Sequence, residues 1–144
     1  MSRRSRVDQV ERLVGQLFGA VDVLQTHFEQ CATELDLTPQ QARLLSSSGS
    51  PCSQRDLAQQ FCCDASNIVG IVDRLEQRGL VVRQPSVHDR RVKQVVLTPD
   101  GEALRERFRV ALTANMPGLS SLAGAQLDQL EMLLAHFTNT PVST

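Results

Sequence analysis

The side chains best suited to chemistry in this sequence are basic and amide groups in the middle of the chain. Residues 53–98 contain seven Arg or Lys and five Asp or Glu, a net charge of +2, whereas the whole chain carries −1. The basic excess is concentrated in one short segment, which carries Arg83, Arg90, Arg91 and Lys93 against Asp89. Such guanidinium and ammonium groups bind phosphate. A solvated surface loop has the same composition, so the surrounding elements must decide between the two interpretations.

Covalent catalysis finds little support in the residue pattern. Serine, histidine and aspartate occur, but there is no nucleophile elbow, phosphate-binding loop or HExxH motif. His27 and Cys31 stand four residues apart on one predicted helix and could contribute to a metal site, but no clear further ligands accompany them. We therefore predict that the chain is not an enzyme and has no cofactor or metal.

The cysteines have two alternative interpretations. Cys31, Cys52, Cys62 and Cys63 form no CxxC pair, which favours reduced thiols in the cytoplasm over a zinc site. Cys62 and Cys63 precede a predicted helix, and a thiol near a helix amino terminus can be acidified, which would suit a redox sensor. In the simpler alternative, Cys63 fills a core position and Cys62 is a small turn residue.

Length and composition predict one domain over 1–144. The sequence is 41% hydrophobic and 22% charged, which is typical of a globular protein. No apolar run approaches the ~20 residues that span a bilayer, and the basic start lacks the apolar core of a signal peptide. We expect a cytoplasmic protein with no membrane partner. The absence of Tyr and Trp argues against a stacking platform for single-stranded nucleic acid.

A helix-turn-helix is predicted immediately before the basic segment. Ser53 can cap a helix over 54–61, and Asp64 can cap a second helix over 65–78 that ends at Gly79. The second helix has an apolar stripe at helical spacing, made of Ile68, Ile71, Val72 and Leu75. About three residues separate the two helices, which is helix-turn-helix spacing.

The basic segment itself is predicted to be a β-hairpin. The β-prone runs 80–83 and 94–97 flank a polar tip at 85–92, a pattern typical of antiparallel strands joined by a long loop. The fold class is therefore mainly α with a small β-hairpin wing. Further helices are predicted over 7–35, from the capping box that starts at Thr38, and on either side of a break at Pro117-Gly118, with a loop at 46–51.

A helix-turn-helix followed by a basic hairpin fits duplex DNA. The second helix is narrow enough to enter the major groove, and the hairpin tip can reach phosphates or the minor groove. We predict base-edge or phosphate contacts from Ser66 and Asn67, and a phosphate contact from Arg74. The other predicted contacts lie on the same helix, at the start of the preceding helix and on the hairpin, at Gly70, Ser53, Gln54, Arg55, Arg90, Arg91 and Lys93.

The stretch from Ser53 to Gly101 resembles the winged-helix core of the MarR family of bacterial transcriptional regulators. The matching segments are SQRDLAQQF, DASNIVGIVDRLEQRGLVVR and HDRRVKQVVLTPDG. The resemblance implies a DNA-binding lobe over about 38–98 and an obligate homodimer formed by helices over about 7–35 and 99–138. It also implies a repressor that binds a pseudo-palindromic operator and is released by an effector, often a small aromatic or phenolic ligand. In the family pattern, Arg91 pairs with Asp89 to brace the wing, while Arg90 enters the minor groove.

Two departures from the family pattern keep an alternative open. Val69 and Gly70 stand where relatives carry a threonine and a basic or polar residue, and Cys62-Cys63 replaces a glycine and an aliphatic residue. Either the Gly70 backbone approaches DNA closely, or base readout is thin and specificity rests on shape and phosphates. The alternative function is a degenerate winged-helix module that binds protein and has little DNA readout.

Overall fold

A computed structural model describes residues 3–47 and 51–139, with side chains for 5–47 and 51–137. Its helices and strands run in the order α1 (Arg3–Glu34), α2 (Pro39–Ser47), β1 (Cys52–Ser53), α3 (Gln54–Gln60), α4 (Ala65–Gln77), β2 (Val81–Pro85), β3 (Lys93–Leu97), α5 (Pro99–Ala114) and α6 (Gly124–Asn139). The predicted fold class, mainly α with a small wing, is confirmed. Residues 46 and 47 of the predicted loop belong to α2, and residues 48–50 lie outside the described ranges.

Local capping chemistry explains where three helices begin. The Thr38 hydroxyl accepts a hydrogen bond from the Gln41 backbone N–H (3.2 Å), and the Gln41 side chain accepts one from the Thr38 backbone N–H (3.1 Å). Ser53 and Asp56 form the same reciprocal capping box at α3. At α5 the Thr98 hydroxyl caps the Gly101 backbone N–H at 3.1 Å. These contacts satisfy backbone donors that a helix leaves unpaired in its first turn.

The recognition helix candidate, α4, starts and ends near the predicted residues. Asp64 occupies the N-cap position, but its carboxylate makes no cap hydrogen bond, so the expected side-chain cap is wrong. At the other end Gly79 has φ +70°, and its N–H donates to the Glu76 carbonyl at 2.9 Å. This left-handed residue ends the helix and turns the chain into β2.

The wing is part of a three-stranded antiparallel sheet in the order β1-β3-β2. The predicted hairpin strands are confirmed, and Arg83 of β2 lies opposite Val95 of β3. Cys52, which follows the predicted loop, pairs with Val95 in β1 and is half-buried against the core. A two-residue strand leaves almost no periodic signal, so only the paired partner strand defines it.

The core lies between the helix-turn-helix, the inner face of the sheet, α2, α5 and the end of α1. The largest fully buried side chains come from all of these elements except α1, and are Leu44, Leu45, Leu57, Ile68, Val72, Leu75, Val81, Val95 and Phe108. Phe28 of α1 meets Phe108 edge-to-face, with ring centroids 5.0 Å apart. None of the helices in the described part of the chain is long and apolar enough to cross a membrane.

The two terminal helices expose apolar side chains outside this core. We call the residues Val7, Val10, Leu13, Val14, Leu17, Phe18 and Val21 the α1 apolar face; their exposed fractions range from 39% to 70%. The α6 apolar face consists of Leu127, Met132, Leu133, Leu134 and Phe137. No described side chain of α6 is buried. The α1 apolar face and the α6 apolar face are therefore left uncovered by the rest of the same chain.

Gly101 is predicted to be essential for the junction between α5 and the wing. A Cβ at this position would overlap the Leu80 carbonyl oxygen and lie 3.0 Å from its carbon, both backbone atoms. We expect Gly101→Ala to lower the free energy of unfolding by about 3 kcal/mol or more, because backbone must move. Gly70→Ala is the control, since a Cβ there meets nothing within 4 Å. It should stabilise α4 by up to ~1 kcal/mol. Denaturant unfolding of both variants checks this; equal stabilities would contradict the close approach.

Candidate DNA-binding surface

One face of α4 is buried and the opposite face is open. Ile68, Val72 and Leu75 are fully buried, and Ile71 is 9% exposed. The predicted contact residues Ser66, Asn67 and Arg74 are all exposed on the other side of the helix, and Gly70 is half-exposed. The helical spacing predicted from the sequence thus brings them together as expected, because the apolar stripe fixes the rotation of the helix about its axis.

The middle of the open face is small and apolar. Val69 is 38% exposed. Nothing in the protein lies within 4 Å of a Cβ built on Gly70, so intramolecular packing does not require glycine at that position. An exposed valine can contact a thymine methyl group in the major groove, but it cannot hydrogen-bond a base edge. Polar readout from α4 is therefore limited to its ends.

The wing tip is ordered by short side-chain contacts that leave its cations in solvent. Ser86 is buried, donates its N–H to the Val92 carbonyl (2.8 Å) and accepts from the His88 N–H (3.2 Å). Arg90, Arg91 and Lys93 are all exposed. The loop is therefore a folded turn that presents positive charge.

The expected brace between Asp89 and Arg91 takes a different form. The Asp89 carboxylate accepts a hydrogen bond from the Arg91 backbone N–H at 2.9 Å, and its own carbonyl accepts one from the Val92 N–H at 3.0 Å. The ion pairs of the described residues do not include one between these two side chains. The brace thus uses the Arg91 backbone, and the Arg91 side chain is left exposed, as is that of Arg90.

The start of α3 contributes one exposed cation. The Ser53 hydroxyl donates to the Asp56 carboxylate at 2.7 Å, and this bond, followed by that from the Ser53 N–H, lowers the pKa of Asp56. The Gln54 side chain is turned to Arg83, as described below. Arg55 is exposed and lines an open depression of about 610 Å³ whose other lining residues include Asn67, Cys62 and Cys63. Of the three predicted phosphate-binding residues here, Arg55 alone keeps its side chain unengaged within the described structure.

Arg83 does not lie among the exposed wing-tip cations, where the sequence predicted it. We counted it with the basic wing tip, but its guanidinium is only 18% exposed and forms ion pairs with Asp73 and Glu76 of α4. The signal was present in the sequence as two acids three residues apart on α4, followed by a turn and a basic residue in the next strand. Alternation places Arg83 on the same strand face as the buried Val81, which aims it at α4.

Charge on this surface is therefore distributed unevenly. Among the described residues, ion pairs involve Arg83, Arg105 and Arg109. Among the exposed cations of the helix-turn-helix and wing, Arg78 donates to the Asp36 carbonyl at 2.7 Å. The other five lie outside the ion pairs of the described residues, and they are Arg55, Arg74, Arg90, Arg91 and Lys93. Unpaired cations on a folded surface are available for phosphate without first breaking an ion pair.

Cys31 and His27 are engaged within the protein. Cys31 is buried, and burial followed by the charge of Glu34 raises the pKa of its thiol. His27 Nε2–H donates to the Leu112 carbonyl at 3.0 Å, which ties α1 to α5. No cluster of metal-ligating side chains occurs within residues 3–47 and 51–139. Cys63 packs against the core, whereas Cys62 is exposed in the turn with φ +49°.

The fold and this surface together define a winged helix-turn-helix protein of the DNA-binding type. The model of the MarR family matches residues 37–93. The chain is 33% identical over 113 residues to the HTH-type transcriptional regulator FarR of Neisseria gonorrhoeae, covering 76% of this chain and 77% of that protein. It is 30% identical to the homoprotocatechuate degradative operon repressor of Escherichia coli, with 84% of each covered. The chain therefore belongs to the MarR family of transcriptional regulators, and the resemblance seen in the sequence is confirmed.

A solved structure supports the same fold over nearly the whole chain. CouR from Rhodococcus jostii, crystallised with p-coumaroyl-CoA, superimposes with a TM-score of 0.70 at 25% identity, covering 96% of each chain. The comparison includes α1, α5 and α6 as well as the helix-turn-helix. The terminal helices are thus part of the shared architecture.

Asn67 is predicted to read sequence rather than charge. We expect Asn67→Ala to change the ranking of DNA sites, with a loss of about 1–3 kcal/mol at one base position, because an amide recognises a base edge. Arg74→Ala is the control, and it should weaken all sites alike with a shallower salt dependence. Fluorescence anisotropy on a panel of single-base variants checks this. A uniform loss for Asn67→Ala would identify a phosphate contact instead.

The wing cations are predicted to carry a large share of the affinity. We expect Arg90→Ala combined with Arg91→Ala to weaken binding to any duplex and to reduce the salt slope by about two phosphates per subunit. Arg107→Ala removes an exposed charge from α5 and should change neither quantity appreciably. Anisotropy titrations over a range of salt concentrations measure both. Unchanged affinity of the double variant at moderate salt would remove the wing from the DNA-binding surface.

Proposed function

We propose that this protein is a transcriptional repressor that binds a pseudo-palindromic operator as a homodimer. In this proposal α4 enters the major groove, while Arg90 of the wing reaches the minor groove and Arg91 a nearby phosphate. The observation that carries it is the combination of an exposed face on α4 with five exposed cations outside the ion pairs of the described residues. The relatives named as regulators and repressors support the same function.

The surface chemistry supports binding dominated by phosphate contacts. Each neutralised phosphate steepens the salt dependence by a slope of about −0.9. The polar groups on α4 suited to base edges are few, with Ser66 and Asn67 at its amino end and Gln77 at its last turn. Selectivity would therefore draw on DNA shape as well as on direct readout.

Dimer formation is supported by the two apolar faces. The α1 and α6 apolar faces are exposed in a single chain, and a contiguous apolar surface of this kind marks an interface. The proposal pairs residues 7–35 and 99–138 of two copies about a twofold axis. A twofold dimer would present two copies of α4 to half-sites about one helical turn apart.

Release from DNA would require an effector that binds the two spacings of the α4 helices unequally. A small aromatic or phenolic ligand between the terminal helices and the DNA-binding lobe is the first candidate, in line with the acyl-CoA bound by CouR. Oxidation of Cys62 or Cys63 is the second, because both residues line the depression that includes Arg55 and Asn67. We propose that the protein acts in the cytoplasm, catalyses no reaction and needs no cofactor or metal.

The first experiment is anisotropy of the protein on DNA upstream of its own gene against a scrambled duplex, with reductant and then with peroxide. Selective, salt-sensitive binding by a dimer establishes the DNA-binding regulator. Loss with peroxide and recovery with thiol identifies a cysteine switch, whereas unchanged binding directs the search to small ligands. A failure to bind any duplex would favour the alternative of a protein-interaction module, against which the exposed Arg74, Arg90 and Arg91 argue.

The α6 apolar face is predicted to be required for the dimer. We expect Leu133→Asp combined with Phe137→Asp to shift the protein towards the 15.9 kDa mass of one chain and to weaken operator binding at least about tenfold. Gln129→Asp places the same charge on an exposed polar position of α6 and should leave the dimer intact. Light scattering after size exclusion measures the mass. A double variant that remains dimeric would exclude this face from the interface.

A further inference from the structure

Arg83 contacts all three elements that form the DNA-binding surface. It lies on β2, the first strand of the wing, and its guanidinium Nη2 donates to Asp73 of α4 at 2.5 Å. Nη1 donates to Glu76 of α4, and the Arg83 backbone N–H donates to the same carboxylate at 3.2 Å. With its amide oxygen towards Arg83, Gln54 at the start of α3 accepts from Nε at 2.9 Å and from Nη2 at 3.0 Å.

The surroundings of Arg83 keep its guanidinium charged. The Arg83 side chain is 18% exposed, whereas Asp73 and Glu76 are 50% and 39% exposed. Burial acts to lower the pKa of Arg83, but the hydrogen bonds that the guanidinium donates to Asp73 and Glu76, together with the charges of these carboxylates, outweigh it and raise the pKa. The guanidinium therefore stays charged. It neutralises two carboxylates that would otherwise repel phosphate beside the open face of α4.

We infer that Arg83 is a positioning residue that holds the wing, α4 and the start of α3 in one fixed arrangement for DNA. The inference rests on the proposed function. Without the Arg83 side chain, β2 remains paired with β3, and the backbone N–H of residue 83 can still donate to Glu76. The guanidinium contacts with Asp73, Glu76 and Gln54 are lost. The wing cations and the α4 contacts would then meet DNA independently, so that binding to one no longer places the other.

The geometry of the cluster requires arginine rather than lysine. Three nitrogens of one planar group each meet a carboxylate or amide oxygen, and these oxygens belong to side chains on two different helices. An ammonium group is a point charge and cannot reproduce this planar fork. Arg83→Lys therefore keeps the charge and loses the fixed geometry, which separates the two effects.

The test compares four variants with the wild-type dimer on an operator duplex. Two are the single variants Arg83→Lys and Arg83→Met. The third is the neutral triple variant, in which Arg83→Met is combined with Asp73→Asn and Glu76→Gln. The fourth is the control, Arg105→Met. Arg105 is likewise a partly exposed arginine, paired with Glu102 at 2.8 Å, but on α5. The measurements are thermal unfolding, salt-dependent anisotropy, and hydroxyl-radical footprints of the region under the wing.

We expect Arg83→Met to weaken operator binding at least about tenfold, to lose the footprint under the wing and to reduce the salt slope, at temperatures where the variant is folded. The neutral triple variant should regain part of the affinity, because the repulsion is gone, but not the footprint. Arg83→Lys should keep near-normal stability with a weakened footprint. Arg105→Met should match the wild type in both DNA measurements.

Two results would overturn the inference. One is that Arg83→Lys binds with wild-type affinity and gives a wild-type footprint under the wing. This would show that only the positive charge at position 83 matters. The other is full recovery of the footprint in the triple variant, which would show that repulsion alone explains the effect. If Arg83→Met does not fold, the effects of charge and geometry are separated with other variants. Arg83→Lys keeps the positive charge and loses the planar fork, while Asp73→Asn and Glu76→Gln each remove one carboxylate charge. Failure of the wild-type protein to footprint any duplex would instead count against the proposed function.

Discussion

The burial of one face of α4 is the constraint on which the rest of the structure depends. Ile68, Val72 and Leu75 are fully buried, so the rotation of the helix is fixed and its opposite face must point to solvent. Each such side chain contributes about 1.5–3 kcal/mol, so rotation of the helix is strongly opposed. The same packing leaves the middle of the open face to Val69 and Gly70, which offer shape and methyl groups rather than hydrogen bonds.

Charge is the second constraint, because a chain with net charge −1 must bind a polyanion through a local surface. Near this surface two acidic side chains of α4 are paired, whereas the basic ones at the wing tip are exposed. Asp73 and Glu76 lie beside the candidate surface, and Arg83 neutralises both, whereas the cations at the wing tip are left to solvent. One partly buried arginine thus allows the exposed ones to act on phosphate, and it joins the wing to α4.

Short polar and backbone contacts connect α5 to the DNA-binding lobe and to α1. The Thr98 hydroxyl donates to the Gly79 carbonyl at 2.6 Å and caps α5, while Gly101 packs directly on Leu80. At the other end of α5, the Leu112 carbonyl accepts a hydrogen bond from His27 of α1. These contacts join α1, through α5, to the turn between α4 and β2. This supplies a physical route by which an effector between these helices could alter DNA binding.

The sequence by itself determined the elements, because their signals are local. Capping residues, the stripe on α4, Gly79 and the alternation of the hairpin act within a few residues of one another, and the structure confirms those helices and strands within a few residues. Tertiary structure alone decided β1, which exists through pairing with β3, and the partners of Gln54 and Arg83, which are 29 positions apart. It also decided that Asp89 binds the backbone of Arg91, since turn geometry rather than charge sets which donor is within reach. Side-chain partners across a fold depend on the distance between elements, and neither composition nor periodicity contains that distance.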